Sequence, residues 1–197
     1  MISRLAIIIT EALCKAQAIE EIDRELYGYG FFVLLSQGLF LLMSTLFGFL
    51  LGTPWESIIF YFMFSTLRCY AGGFHASKER DCTRYTTLAL LLASGSIRIL
   101  SNAESSVLSF AMLAVSYAVV YLLSPLDSEN KPLSVGDFKE YRKKSRTIGI
   151  VIVFIAITGI FVNIPGILHA ASSSMVLESF LLVLGKAKRK TQYSVSR

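Results

Sequence analysis

Charged residues are scarce in this sequence of 197 residues. Asp, Glu, Lys and Arg together make up 17% of it, whereas an average soluble domain has about 25%. Hydrophobic residues make up 54%, and the mean hydropathy is +0.59. The few charges cluster in short stretches between long apolar runs, which is typical of an integral membrane protein. The composition therefore predicts a single all-α membrane domain.

Cysteine and histidine are also rare, with three and two residues respectively. An odd number of cysteines without zinc-finger spacing does not indicate a disulfide framework or a structural metal. A metal site would need His75, Cys82, Cys69 and one carboxylate, Glu79 or Asp81. We expect no metal and no other cofactor.

A basic segment followed by an apolar one, which would mark a cleavable signal peptide, is missing from the first thirty residues. They carry five acidic residues instead. The net charge of +5 does not indicate nucleic-acid binding, because basic loops beside membrane spans commonly set topology and contact anionic lipid.

Six apolar runs predict six transmembrane helices. The second run is short and begins with Glu56, and the sixth is diluted by His169, by three consecutive serines and by Glu178. Both are weak predictions. The predicted spans are residues 30–52, 54–67, 85–100, 107–123, 147–162 and 167–184.

Residues 1–29 place apolar side chains near helical spacing, with charged residues on the other face. This pattern predicts one or two amphipathic helices on the membrane surface. Packing onto the rest of the protein, or binding a partner's amphipathic helix, would use the same pattern.

The distribution of Lys and Arg predicts the orientation. All of the 19 basic residues except Arg98 lie in four segments. A six-span arrangement puts these segments on one face, which the positive-inside rule makes cytoplasmic. The four segments are residues 1–29, the loop 68–84, the second loop 124–146 and the basic tail 185–197.

The loop 68–84 is polar and basic although it lies between two apolar runs, and it contains Gly72, Gly73, His75 and Cys82. A neighbouring imidazole can take the proton of a thiol and activate it as a nucleophile. His75 and Cys82 would be about 10.5 Å apart along an unbroken helix, so contact requires a bend. Ser77, as the N-cap of a helix starting at Lys78, would supply it. The alternative is that neither residue is catalytic, with His75 a polar residue at the membrane surface and Cys82 an inert small residue.

Supporting groups remain open at this point. Asp81 adjoins Cys82 and is one candidate for orienting the histidine. Backbone N–H groups near Lys78, or the side chain of Arg68, could stabilise an oxyanion, although Arg68 is equally a typical interfacial anchor. Further candidates for orienting the histidine or for contacting a peptide are Glu79, Asp127, Asn130, Lys131, Lys143 and Lys144.

The sequence from Arg68 through His75 and Ala76, followed by Cys82, resembles the signature of the accessory gene regulator B (AgrB) family. These are integral membrane cysteine endopeptidases of Gram-positive quorum sensing. The stretches 124–127 and 130–132 are similar to the family's second cytoplasmic motif. Length, hydropathy and the amphipathic N-terminal segment agree with this resemblance over nearly the whole chain.

The resemblance implies that His75 and Cys82 are catalytic and that the substrate is a short AgrD-like precursor peptide. Cleavage at the inner membrane face would leave an acyl-enzyme thioester, and the precursor would then close a thiolactone ring. It also implies a homodimer in the bacterial cell membrane. The rival class is a non-catalytic membrane chaperone or transporter. The predicted spans contain few ionisable residues, chiefly Glu178 and Arg98, which argues against ion-coupled transport.

Overall fold

The structure, a computed structural model, describes residues 2–74, 79–103, 105–126 and 134–195, without the side chains of Glu79, Val135 and residues 190–195. The described part is helical, which confirms the all-α part of the predicted fold class. The chain divides into two compact units, residues 1–43 and 44–197. The elements are α1 (Ile2–Lys15), a 3₁₀ helix (Glu21–Asp23), α2 (Arg24–Leu51), α3 (Pro54–Ala71), α4 (Glu79–Asn102), α5 (Ser106–Leu123), α6 (Val135–Phe161) and α7 (Pro165–Val195).

Local sequence signals explain where several helices begin and end. Helix α3 has Pro54 at its start and ends where Gly72 takes a φ of +75°, a conformation that glycine adopts at little cost. Helix α6 starts with a capping box, in which Ser134 and Asp137 each bond the other's backbone N–H. It continues without a break through the charged half of the predicted second loop and the predicted fifth span.

Of the helices that the structure describes, four are long and apolar enough to cross a membrane, in the ranges Glu21–Leu51, Ser106–Leu123, Gly136–Phe161 and Pro165–Arg189. They contain the predicted first, fourth, fifth and sixth spans. Helices α3 and α4, which cover the predicted second and third spans, are not among them. The count of six spans therefore stays a prediction.

Helix α7 is the centre of the second unit, because it packs against α3, α4, α5 and α6. Its residues 168–175 are all buried, and so are Glu178 and Leu182. The polar residues that make it a weak apolar run in the sequence therefore face neighbouring helices. Small serine side chains let helix backbones approach closely, which is the usual solution where lipid supplies no hydrophobic drive.

Hydrogen bonds between helices accompany this close packing. The His169 ring and Ser173 on α7, and Ser94 and Ser96 on α4, have hydrogen-bond partners on other helices. The bonded pairs are Ser109 Oγ with His169 Nδ1 at 2.8 Å, Ser96 Oγ with Ser173 Oγ at 2.9 Å, and Ser57 Oγ with Ser94 Oγ at 3.4 Å.

In the first unit, α1 buries Ala6 and Thr10 while much of its other apolar surface is exposed. The Arg24 guanidinium, at the start of α2, forms ion pairs with Glu11 on α1 at 3.0 Å and with Glu21 in the 3₁₀ helix at 2.8 Å. An amphipathic helix lies where the sequence predicts one. Its location on the membrane surface stays a prediction.

We expect Ser173→Leu to destabilise the protein, because Ser173 is 3% exposed and bonded to Ser96 between α7 and α4. Forcing extra carbon atoms into a packed interior costs about 1–3 kcal/mol. The matched control is Val183→Leu on the same helix, where the side chain is 49% exposed. Thermal unfolding in detergent should show a lower midpoint for Ser173→Leu alone. Equal midpoints would contradict the central position of α7.

Candidate functional site

The predicted site residues of the first loop fall on two helix ends. Arg68 lies in the last turn of α3, and Gly72 and Gly73 follow directly after that helix. Asp81 and Cys82 lie in the first turn of α4, which begins at Glu79. The predicted residues His75, Asn130 and Lys131 lie outside the described residues, as does the predicted cap Ser77.

The short stretch between α3 and His75, residues 71–74, is called the glycine segment here. It is fastened on two sides by backbone hydrogen bonds. Leu126 N–H donates to the Ala71 carbonyl at 2.9 Å, and Phe74 N–H donates to the Leu181 carbonyl on α7 at 2.9 Å. The glycine segment therefore lies between Leu126, which follows α5, and the central helix α7.

The side chain of Arg68, in the last turn of α3, also binds the glycine segment. Its Nη1 donates to the Gly72 carbonyl at 2.5 Å, and its Nη2 donates to the Phe74 carbonyl. The Arg68 side chain is 18% exposed, and hydrogen bonds from a charged donor are about twice as strong as neutral ones. One guanidinium thus fixes two carbonyls, the second of which belongs to the residue before His75.

Gly72 and Gly73 leave no room for a side chain. Gly72 and Gly73 have φ angles of +75° and +117°, which side-chain-bearing residues adopt only with strain. A Cβ at Gly72 would overlap the Leu126 carbonyl oxygen, and one at Gly73 would overlap the Arg68 guanidinium. The glycine pair in the sequence therefore has a local physical reason.

Cys82 is a partly exposed free thiol. Tyr85, one turn further along α4, packs edge-on against Phe74 with ring centroids 6.1 Å apart. Residues three apart on a helix are neighbours on its surface. The turn that carries Cys82 is therefore held beside the residue that directly precedes His75 in the chain.

The other two cysteines are Cys14 and Cys69. Cys69 is exposed on α3. Cys14 belongs to the first unit, and partial burial followed by the negative charge of Glu21 raises the pKa of its thiol. A higher pKa leaves less thiolate at neutral pH and a less available nucleophile.

Asp81 forms an ion pair with Arg84 at 3.8 Å on the exposed side of α4. Such a pair is worth little in water. Among the residues that the structure describes, no three His, Cys, Asp or Glu side chains are grouped closely enough to hold a metal ion.

Cationic groups lie over aromatic rings around the glycine segment and the ends of α3 and α5. Lys188 Nζ is 5.4 Å from the centre of the Phe74 ring, and Lys144 Nζ is 5.2 Å from that of Tyr70. The predicted basic residue Lys144 also pairs with Glu140 at 2.6 Å. This surface therefore carries lysine side chains next to aromatic rings.

Two residues that contact this site did not emerge from the sequence as candidates. Glu178, fully buried on α7, has its Oε1 3.7 Å from Arg68 Nη1. A Cβ on Gly185 would lie 2.8 Å from Phe74 N and 2.5 Å from Leu126 Cδ2. A carboxylate inside an apolar run was the one available signal for Glu178. Gly185 gives none, because its role depends on a segment far away in the chain.

The profile of one protein family, accessory gene regulator B, matches residues 6–182. An AgrB-like protein of Clostridium perfringens strain SM101 is 27% identical over 162 residues, which cover 80% of this chain and 75% of the relative. An AgrB-like protein 2 of Clostridium perfringens strain 13 is 25% identical over the same shares. No solved structure matches.

We expect Gly185→Ala to loosen the glycine segment, because the added Cβ would meet backbone atoms of residues 73 and 74 at under 3 Å. Amide hydrogen exchange of a peptide covering residues 71–74 should become at least about tenfold faster. The control is Gly95→Ala on α4, where a Cβ would meet no atom within 4 Å. Exchange as slow as in the wild type would contradict this packing.

Proposed function

The chain belongs to the accessory gene regulator B family, which implies a role in quorum-sensing peptide processing, and from this premise we propose a specific reaction. The protein is a membrane cysteine endopeptidase that cleaves a short AgrD-like precursor peptide and closes part of it into a thiolactone. The observation that carries the proposal is the contact of Phe74 with Tyr85. It brings the turn of Cys82 to the segment that leads into His75.

In the first step, His75 takes the proton of the Cys82 thiol, and the thiolate attacks a backbone carbonyl of the precursor. The tetrahedral intermediate collapses when the C–N bond breaks. The leaving amine receives the proton from His75 and departs with the C-terminal part of the precursor. An acyl-enzyme thioester on Cys82 remains.

In the second step, a cysteine thiol of the bound precursor gives its proton to His75 and attacks the thioester carbonyl. The bond to Cys82 Sγ breaks, and the proton returns to the departing thiolate. A thiolactone ring is formed and the free enzyme is restored. The thioester survives long enough only if water is kept from it.

The described residues would support these steps by fixing geometry. Arg68, Gly72 and Gly73 hold the backbone that enters His75, and a well-oriented pair of reacting groups gains much of its rate from such positioning. Backbone N–H groups in the first turn of α4 are without helical partners and could bind the developing oxyanion.

The positive surface fits a peptide with an acidic part. Lys144 and Lys188 lie beside the glycine segment through their contacts with Tyr70 and Phe74. Asn130 and Lys131, from the second loop, are proposed as further substrate contacts. Opposite charges would steer the precursor to the site and orient it there.

We also propose the topology of the sequence analysis: six spans, with both termini, the loop 68–84 and the loop 124–146 in the cytoplasm. Cleavage would then occur at the inner face of the cell membrane, and a homodimer is part of the proposal.

The alternative is a membrane protein that moves or holds the peptide without cutting it. The buried ionisable residues His169 and Glu178 on α7 favour it, because such residues mark transport paths in many membrane proteins. A transporter of this kind would not need the thiol of Cys82.

We expect Cys82→Ala and His75→Ala to reduce precursor cleavage by more than about 10³-fold, as loss of a nucleophile or its base does in other hydrolases. Cleavage of a co-expressed precursor, followed by mass spectrometry, measures this. Both variants should still accumulate in the membrane.

The controls are Cys14→Ala and Cys69→Ala, which should keep most of the activity. Persistent cleavage in Cys82→Ala would overturn the peptidase proposal and favour the transporter. Loss of cleavage in Cys69→Ala would instead point to a metal site that includes Cys69, or to a disulfide.

A further inference from the structure

Glu178 has an unusual environment for a carboxylate. Its side chain is 0% exposed on the central helix α7. Within the described part of the chain, neither carboxylate oxygen accepts a hydrogen bond. Its ion-pair partner there is Arg68, at 3.7 Å. A buried charge without a partner is costly, so the position of Glu178 and that of Arg68 depend on each other.

Arg68 in turn connects Glu178 to the glycine segment. The Nη1 atom that faces Glu178 also donates to the Gly72 carbonyl, and Nη2 donates to the Phe74 carbonyl. The guanidinium therefore contacts the carboxylate on α7 and the two carbonyls of the glycine segment at the same time. Movement of the guanidinium would release both carbonyls together.

Helix α7 also contacts the segment directly. The Leu181 carbonyl, three residues after Glu178, accepts from Phe74 N–H at 2.9 Å. Residues three apart share one side of a helix. One surface of α7 thus supplies a charge for Arg68 and an acceptor for the segment.

We propose that Glu178 is a positioning residue, whose carboxylate holds the Arg68 guanidinium against the Gly72 and Phe74 carbonyls and so fixes the backbone that leads into His75. This inference rests on the proposed function of His75 as the base. Glu178 acts through Arg68 and does not contact the substrate.

Stability alone gives no reason for a carboxylate at this place. A buried ion pair repays its desolvation poorly, and neutral residues of the same shape are often as stable or more so. The carboxylate is instead explained by the hydrogen bonds of Arg68, because an oriented guanidinium can bind two carbonyls at once.

The first experiment measures the segment and needs no precursor. In Glu178→Gln, amide hydrogen exchange of a peptide covering residues 71–74 should be at least about tenfold faster than in the wild type. Glu178→Asp keeps the charge and should show a smaller change. The matched control is Ser174→Ala, one turn earlier on α7, where a buried hydroxyl donates only within its own helix, to Ala171.

The second experiment tests whether Glu178 acts through Arg68. In an Arg68→Gln background, adding Glu178→Gln should not speed the exchange further, since the link is already broken. Additive effects of the two substitutions would overturn the proposal. Exchange in Glu178→Gln as slow as in the wild type would overturn it as well.

The third experiment uses cleavage of the precursor. Glu178→Gln should lower kcat by roughly 10²-fold, as small misplacements of reacting groups do, while KM changes by less than about threefold. A raised KM with unchanged kcat would overturn the positioning role. If the wild type itself does not cleave, the proposed function fails, and the exchange results still decide whether Glu178 holds the segment through Arg68.

Discussion

The hydrogen bonds from one guanidinium to two backbone carbonyls are the interaction on which the site depends. At the centre of the glycine segment are two glycines with positive φ, which have no side chains that could hold the backbone in place by packing. Arg68 supplies that shape by binding the Gly72 and Phe74 carbonyls. Leu126 and Leu181 fasten the segment from either side. The conformation of the glycine segment is therefore set by Arg68, which is nearby in the chain, and by two distant residues, Leu126 and Leu181.

Helix α7 shows why polarity and burial coincide in this protein. Lipid-facing surface gains nothing by being polar, whereas contacts between helices gain from small residues and hydrogen bonds. Ser173 and His169 on α7 bond to α4 and α5, and Glu178 faces α3. The sixth predicted span, one of the two that the sequence predicts only weakly, is thus the one that the other helices of its unit pack against.

Much of the fold follows from the sequence, since apolar runs, capping residues and the motif around Gly72 are local patterns. The helix predicted to start at Lys78 is described from Glu79 onward, and Lys78 itself lies outside the described residues. The central position of α7 could not be predicted, because hydropathy counts Ser172 or Glu178 as a cost whichever way the side chain faces. Gly185 was missed for a related reason: its contact with Phe74 joins two segments that share no local pattern.

The site combines a fixed part, the glycine segment with Arg68 and Glu178, with an open part, the start of α4 with Cys82. The proposed chemistry needs both. A thiol that first attacks a peptide carbonyl and is then displaced from the resulting thioester by a second thiol has to be reached by the substrate from outside. Cys82 is partly exposed at a helix start. The base has to serve both steps from one position, and the backbone before His75 is the most tightly bonded stretch of the loop that the structure describes. Burying Glu178 and Arg68 in the helix bundle keeps the fixed part independent of whatever peptide occupies the open part.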